Sequence, residues 1–485
     1  MSGGRKKTIL VFALVLVALA VTLAVLSATV WKTEPGGEEA QTELLVPEWT
    51  IDQIDSISVR NRNFSYRLYR ASDGELYFDG AEYVLYQQNR IAFLRSVCAH
   101  LSVLGEVEDA RDLSEYALTE ELCSASFTVT SVSGESYRVL VGAKLVSGEG
   151  YYARLDGEDR IVVLPVSLEN CLFSDLNFFL SPQVAINLSE SDYYTVDRMA
   201  ISRLGEKYME IEKIPEDEVK ESDLSTHRIS FPAPYEPNTA LFTQIFHSFT
   251  AFSGKSVCAY GLSRMDADEY LAVMRRYHLV SENDAQMICK VEYTYHDFTT
   301  ELYFGAPEDE TGLRYVFSPD FDIVASFDAS SLAWADYDLM DYTQSELFAR
   351  SISDVKQISI KARGVDAAFD LEHGENAKEL VVRAGQTVLD TQDFRQFYTQ
   401  ILYLKNAGYA TVPASLASYD KTELTITLND GSVFDYCFYD IATRQSYYTI
   451  SGKGVFYVNR DYTKKLVSDA VNLTTGKAVV ARQFS

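Results

Sequence analysis

Two groups of aspartates are the densest sets of side chains in this sequence that could do chemistry. The groups are Asp320, Asp322 and Asp328, followed by Asp336, Asp338 and Asp341. A calcium loop needs a glycine turn within D-x-D-x-D-G-like spacing, and the first group lacks that glycine. We therefore interpret the aspartates as solvated loop residues and expect no metal and no cofactor. A carboxylate pair could also serve a glycosidase, but among 70 acidic residues nothing selects the pair.

Motifs for nucleophilic catalysis and nucleotide binding are missing from the sequence. G-x-S-x-G does not occur, and the six histidines show no H-E-x-x-H or other ligand spacing. Thr474-Thr475-Gly476-Lys477 lacks the upstream glycine of a P-loop, and Gly148-Glu149-Gly150 is too short for a dinucleotide-binding fingerprint. We expect no catalytic residue and predict that the protein is not an enzyme.

The cysteines and tyrosines have structural interpretations. The six cysteines form no C-x-x-C pair, and we interpret them as free and buried, with disulfides left open. Exposed rings among the 32 tyrosines could stack on sugars or peptides, but tyrosine is also a common strand residue. In Tyr151-Tyr152 and Tyr447-Tyr448 the side chains should alternate in direction, so we expect one of each pair to point outward.

Length and charge narrow the classes of function. The 485 residues suffice for about three domains. Lysine and arginine number 43 against 70 aspartates and glutamates, so the net charge is −27. An acidic surface repels phosphate backbones, which disfavours nucleic-acid binding.

The N-terminus predicts a membrane anchor. Residues 8–31 contain no charged side chain, and about 20 apolar residues suffice to span a bilayer. Arg5, Lys6 and Lys7 precede this stretch, so the positive-inside rule places residues 1–7 in the cytoplasm and the rest outside the cell membrane. A cleaved signal peptide is the alternative, but the stretch is too long and Ser27-Ala28 makes a poor cleavage site. The composition of residues 32–48 predicts a flexible linker.

After the linker, the same order of elements occurs three times. Each unit has a hairpin, an amphipathic helix and an antiparallel meander. The sequence thus predicts an α+β fold with three related domains, each a meander sheet with one packed helix, at 49–181, 195–341 and 352–480. Asp390 or Thr391 is placed to cap the third helix. The second domain adds an acidic loop at 212–223, a Pro-rich segment at 231–237 and a helix at 266–278 with a capping box between Asp266 and Glu269.

Short landmarks recur within these domains. They are Tyr116-Ala117-Leu118, Leu140-Val141-Gly142 and Tyr151-Tyr152 in the first domain, and Tyr260-Gly261-Leu262 and Tyr303-Phe304-Gly305 in the second. With the N-terminal anchor, this pattern resembles the bacterial domain-of-unknown-function 4340 family over about residues 50–475. The first domain departs from it at Ala117, where the pattern has glycine. The third has only Tyr419 and no glycine after its second meander strand, so it is a divergent copy.

The resemblance implies a membrane-anchored extracytoplasmic protein of the bacterial cell envelope. Many members of the family are encoded beside gliding-motility-type ABC transporters, and the family supplies no catalytic residue. The leading hypothesis is therefore a non-enzymatic accessory or scaffold of an ABC-type transport system, with its own helix in the membrane and transporter subunits as partners. A module that binds an envelope polymer or small ligand is the alternative, and an envelope hydrolase is a third.

Overall fold

Three antiparallel sheets organise the fold, in a computed structural model that describes residues 43–46, 48–108, 112–281, 283–374 and 379–480. The predicted tail, membrane span and linker residues 32–42 lie outside the described residues. Among those described, no helix is long and apolar enough to cross a bilayer. The described chain divides into two compact units. One contains the residues up to Leu76 and Phe93–Phe173, and the other contains Tyr77–Ala92 and the residues from Ser174 onward.

Each repeat consists of one sheet and its associated helices. The first contains β1 (Ile54–Asn61), β2 (Ser65–Arg70), β3 (Leu76–Phe78), α1 (Gln88–Ala99), β4 (Gly105–Glu106), β5 (Ala125–Ser131), β6 (Ser136–Lys144), β7 (Gly150–Leu155), β8 (Val162–Pro165) and α2 (Glu169–Leu172). The second contains β9 (Arg198–Arg203), β10 (Glu206–Lys213), β11 (His227–Phe231), α3 (Thr239–Ser248), β12 (Ser256–Tyr260), α4 (Ala267–Arg276), β13 (Cys289–Tyr295), β14 (Phe298–Phe304), β15 (Leu313–Ser318), β16 (Ile323–Asp328) and α5 (Leu339–Tyr342). The third contains β17 (Val355–Ala362), β18 (Val365–His373), β19 (Leu380–Ala384), β20 (Thr387–Val388), α6 (Thr391–Leu402), β21 (Gly408–Tyr409), β22 (Lys421–Leu428), β23 (Val433–Tyr439), β24 (Gln445–Ile450), β25 (Phe456–Asn459) and α7 (Arg460–Thr474).

The strands follow the same spatial order in every sheet. The order is β3-β2-β1-β5-β6-β7-β8-β4 in the first and β11-β10-β9-β13-β14-β15-β16-β12 in the second. The third follows the same scheme with one extra edge strand, β20-β19-β18-β17-β22-β23-β24-β25-β21. In each repeat the first helix joins strands at opposite edges, so this connection crosses the sheet. The predicted α+β class with repeated antiparallel sheets is confirmed.

Strand register gathers the apolar residues on one face of each sheet, as alternation requires. In the third sheet Ile358 lies opposite Phe369 on one neighbour and Ile426 on the other, and all three are buried. Phe394 and Phe397 of α6 place their rings 5.6 and 5.3 Å from Phe369. The stripe of this helix therefore packs against the sheet.

The predicted helix caps are also present. Asp390 caps α6 by accepting a backbone hydrogen bond at 2.9 Å. Asp266 and Glu269 form the capping box of α4. That helix ends at Arg276, two residues before the predicted end, and His278 has a φ of 54° that a helix does not allow.

Two details of the organisation differ from the sequence prediction. The linker was expected to reach residue 48, but Leu45 and Val46 are buried, and the Leu45 amide donates to the Leu101 carbonyl at 2.8 Å. One packed helix per repeat was expected, yet the third repeat also contains α7, which buries Leu466 and Ala470. The apolar stripe of α7 is narrow and contains small or polar residues, so its periodicity is weak.

Candidate functional site

The two aspartate groups have local structural roles. Asp322 accepts hydrogen bonds from the amide and hydroxyl of Ser263 at 2.8 and 2.7 Å. Asp336 binds both terminal nitrogens of the buried Arg314, at 2.7 and 3.0 Å. Asp338 caps the short helix α5. Within the described part of the chain, no three His, Cys, Asp or Glu side chains are grouped so that they could hold a metal ion.

Asp320, which lies near Glu301, is a carboxylate with a raised pKa, as the acid of a hydrolase would require. Burial, followed by the nearby charge of Glu301, raises the pKa of Asp320. However, Lys290 lies 2.6 Å from Glu301 and neutralises it. The desolvation of Asp320 is only partial, because its side chain is exposed at the surface. The pair therefore lacks the enclosed acid and base that glycoside hydrolysis uses.

The landmark around Tyr116 is a tight backbone contact in the first repeat. Ala117 adopts a positive φ of 53°, and the Tyr116 carbonyl accepts a hydrogen bond from the Ala143 amide at 2.9 Å. Gly142 lies against this carbonyl, and a Cβ at that position would overlap it. Leu118 is fully buried beside the same strand. The glycine is thus required by close backbone approach.

In the second repeat a similar close approach occurs at Tyr277-His278-Leu279, with the acceptor carbonyl shifted by one residue. His278 has a φ of 54°, and its carbonyl accepts from the Ala306 amide at 2.9 Å. A Cβ on Gly305 would lie 2.7 Å from the Tyr277 carbonyl. Tyr260-Gly261-Leu262 lies at the end of β12, where Gly261 has a φ of 74° and Leu262 is buried.

The tyrosine pairs do not form an exposed aromatic platform. Tyr151 is only 7% exposed, and Tyr152 packs within the small apolar cluster of the first repeat. Tyr447 and Tyr448 are both buried, so the expectation that one of them points outward is wrong. The Tyr447 ring stacks on Tyr439 of the adjacent strand at 6.2 Å, which explains its burial.

A groove between the second and third sheets is the strongest candidate site. Its volume is about 580 Å³. One wall is the acidic loop and the Pro-rich segment, and the other is formed by the β22–β23 turn and the end of β24. The lining residues are Ile214, Asp217, Glu218, Lys220, Asp223, Ser225, His227, Arg228, Pro234, Tyr235, Glu236, Ser432, Val433, Phe434, Ile450 and Ser451.

The acidic loop is attached to the third sheet at one point. The amide of Ser222 donates to Oδ2 of Asp430 at 3.2 Å, and the Ser222 and Ser432 hydroxyls lie 3.2 Å apart. Burial raises the pKa of Asp430, but the hydrogen bonds from Ser222 and Ser432 outweigh it and lower the value to about 2. The loop is therefore held in place as one wall of the groove.

The Pro-rich segment is attached at a second point, below the groove. Nη2 of Arg350 donates to Oε1 of Glu236 at 2.7 Å, and Nε donates to the Ser222 carbonyl at 2.7 Å. The guanidinium lies 5.1 Å from the centre of the Phe434 ring. The Val455 amide donates to the hydroxyl of Tyr235 at 2.8 Å. These contacts join the second and third sheets.

The charge of the groove comes mainly from the loop. Residues 212–223 contain six acidic and two basic side chains, of which Asp217, Glu218, Asp223 and Lys220 line the groove. Glu218 pairs with Arg228 at 3.3 Å, but no ion pair within the described residues neutralises Asp217 or Asp223. Burial, partly offset by a hydrogen bond to a backbone carbonyl, lowers the pKa of His227, so its ring adds no charge at neutral pH.

The other wall of the groove is apolar. Val433 is 54% exposed there, beside Phe434 and Ile450, and it faces Pro234 of the other wall. A recess of about 40 Å³ shares these last three residues with the groove. Tyr235 also lines both cavities but is 4% exposed, so it presents no open ring face. The arrangement can bind an apolar group next to a cation.

No family model matches the chain, and no curated protein or solved structure matches it significantly.

The sequence did not predict the groove, because Arg350, Phe434 and the acidic loop come from separate segments of the chain. The only signal was that the acidic loop and the Pro-rich segment occur in one repeat and not in the other two.

Proposed function

We propose that this protein is a single-pass, membrane-anchored extracytoplasmic protein that acts as a non-enzymatic accessory or scaffold of an ABC-type membrane transport system. The observation that carries the proposal is the occurrence of one sheet architecture three times in one chain. Repeated sheets offer several similar surfaces for partner proteins. The uncharged stretch at 8–31 and the resemblance to the domain-of-unknown-function 4340 family support the location.

The outer face of the second sheet suits a rigid scaffold. Arg198 pairs with Glu210 on the neighbouring strand and with Glu292 on the other side. Lys290 continues the series by binding both Glu292, at 3.0 Å, and Glu301, at 2.6 Å. Opposite charges on adjacent strands stabilise the register of a sheet. This network crosses four strands and leaves the face nearly neutral.

Two experiments test this function. Protease added to spheroplasts should digest the residues after the linker, whereas protection of these residues until lysis would contradict the predicted orientation. Affinity purification of the full chain from membranes, in mild detergent after cross-linking, should recover transporter subunits. A bait with only residues 1–48 fused to an unrelated domain is the control. Equal recovery by both baits, or no transporter subunit with the full chain, would contradict the accessory role.

A module that binds an envelope polymer or a small ligand is the second candidate function, and the groove between the second and third sheets favours it. Sugar recognition usually uses exposed aromatic faces, which the buried ring of Tyr235 does not supply. Direct titration with peptidoglycan fragments tests this candidate. Saturable binding without any transporter subunit in the purification would favour it over the accessory role.

A further inference from the structure

We propose that the groove between the second and third sheets binds an extended segment of a partner protein in which lysine or arginine alternates with aliphatic residues. The inference deepens the proposed accessory function, because it names the surface and the chemistry of the partner. It rests on the groove geometry and on charge complementarity.

The acidic wall selects a cation. Asp217, Glu218 and Asp223 of the loop line the groove, against the two basic side chains Lys220 and Arg228. Asp217 and Asp223 have no cationic partner within the described residues. Carboxylates at the edge of a cleft attract a basic segment and suppress binding of anions. Phosphorylated or carboxylate-rich ligands are therefore disfavoured.

The opposite wall selects an aliphatic side chain. Val433 is 54% exposed and faces no covering group in the described structure. The adjoining recess, about 40 Å³ in volume, has room for a small aliphatic group and not for an aromatic ring. The hydroxyls of Tyr436 and Tyr448, which line this recess, already donate to Leu347 and Asn406. An apolar group there leaves no buried hydroxyl unpaired.

A segment that has both cationic and aliphatic side chains fits the groove better than a segment that has only one of the two kinds. In an extended chain, successive side chains point in opposite directions. Lysine and aliphatic residues in alternation can thus face the acidic loop and Val433 at the same time. The two walls are held apart at a fixed distance, because Ser222 and Tyr235 attach the loop and the Pro-rich segment to the third sheet.

The test uses the full chain and a fluorescein-labelled ten-residue peptide of alternating lysine and leucine. Fluorescence anisotropy should show saturable binding that weakens at least fivefold between 50 and 200 mM salt, about the range over which surface charges become screened. Two comparison peptides replace every lysine with glutamate or every leucine with serine. Each should bind at least tenfold more weakly.

Two substitutions separate groove binding from general attraction to an acidic protein. Val433→Arg places a positive charge in the groove and should weaken binding at least tenfold. Val388→Arg is the matched control, because Val388 is 57% exposed and lies five strands away in the same sheet, about 24 Å at 4.8 Å per strand. It should change affinity less than twofold. Asp217→Lys, in the exposed loop, is a second variant that should also weaken binding.

The proposal is overturned if the peptide does not bind, or if Val433→Arg and Val388→Arg weaken binding equally while both proteins stay folded by circular dichroism. If Val433→Arg does not fold, Asp217→Lys decides in its place. The outcome is distinguishable from that of the purification experiment. If a Val433→Arg bait still recovers transporter subunits, the accessory role stands, and the contacts with the transporter lie outside the groove.

Discussion

The guanidinium of Arg350 and the carboxylate of Glu236 form an ion pair that joins the segment before β17 to the Pro-rich segment of the second repeat. The nitrogen and oxygen are 2.7 Å apart, and the arginine side chain is 2% exposed whereas the glutamate is 26% exposed. Removing one partner of a buried pair leaves an uncompensated charge, which costs more than the pair itself contributes. The pair therefore controls how firmly the groove wall is held.

Glu236→Gln should lower the free energy of unfolding by about 1–3 kcal/mol, because Arg350 stays charged and buried. Arg350→Met should also be destabilising. The double variant should lose less than the sum of the two, since it leaves no unpaired charge. Urea denaturation followed by circular dichroism measures all three. Additive losses would show that the two side chains do not depend on each other.

Gly142→Ala should destabilise the first repeat by about 1–3 kcal/mol, because the added methyl group overlaps the Tyr116 carbonyl and the backbone must shift. Gly105→Ala is the matched control, because nothing lies within 4 Å of a Cβ at Gly105. The midpoint of urea unfolding should fall only for Gly142→Ala. Equal midpoints for the two variants would contradict the close-approach explanation of this landmark.

Glu346 should contribute to stability in a defined pH range. A hydrogen bond from Lys405, assisted by Ser345 and opposed by burial, lowers its pKa from 4.5 to about 2. The stabilisation is complete above about pH 4.5 and is lost as the pH falls towards 2, because the folded protein binds the proton more weakly than the unfolded chain. Lys405 is half exposed, which limits the contribution to about 1 kcal/mol.

Glu346→Gln should therefore reduce stability at pH 7 and flatten the loss between pH 4.5 and pH 2. Thermal melts across this range measure both effects. Glu206→Gln, at an exposed position, controls for the change in net charge. A Glu346→Gln curve parallel to that of the unmodified protein would argue against the Lys405 interaction.

The cysteines should divide into two classes of reactivity. All six are free, and Cys98, Cys171 and Cys289 are buried. Burial raises the pKa of Cys171 and of Cys289 to about 11, and the thiolate is the reactive form. At pH 8 iodoacetamide should modify the partly exposed Cys123, Cys258 and Cys437 first, as read by mass spectrometry. Modification of the buried three at the same rate would contradict their burial.

The sequence predicted those helices and strands in which apolar residues recur at a regular spacing, together with the caps beside them. The alternating strands around Ile358 and the caps at Asp266 and Asp390 are found where they were expected. The short edge strands and α7 were missed, because two to five residues or a narrow stripe carry little periodicity. The close approach of Gly305 to the carbonyls of Tyr277 and His278 was also missed, because it joins separate segments.

The candidate site was hardly predictable from the sequence. The acidic loop and the Pro-rich segment were recognised as extras of the second repeat. Nothing in the sequence indicated that Ser222 and Glu236 would meet Asp430 and Arg350. Contacts between distant segments depend on the tertiary arrangement and leave no local pattern.

The connection that crosses each sheet also determines how long one edge strand stays unpaired while the chain is being synthesised. In the second repeat β12 pairs with β16, and the paired Ser256 and Ser326 are 70 residues apart. At about 5–20 residues per second, β12 waits on the order of 4–14 s during translation for its neighbour to be synthesised. Throughout that interval it is an unpaired edge open to aggregation. Each of the three repeats has such a delay during synthesis. Because the unpaired strands are exposed in turn, we expect holdase chaperones to bind the polypeptide during its biogenesis.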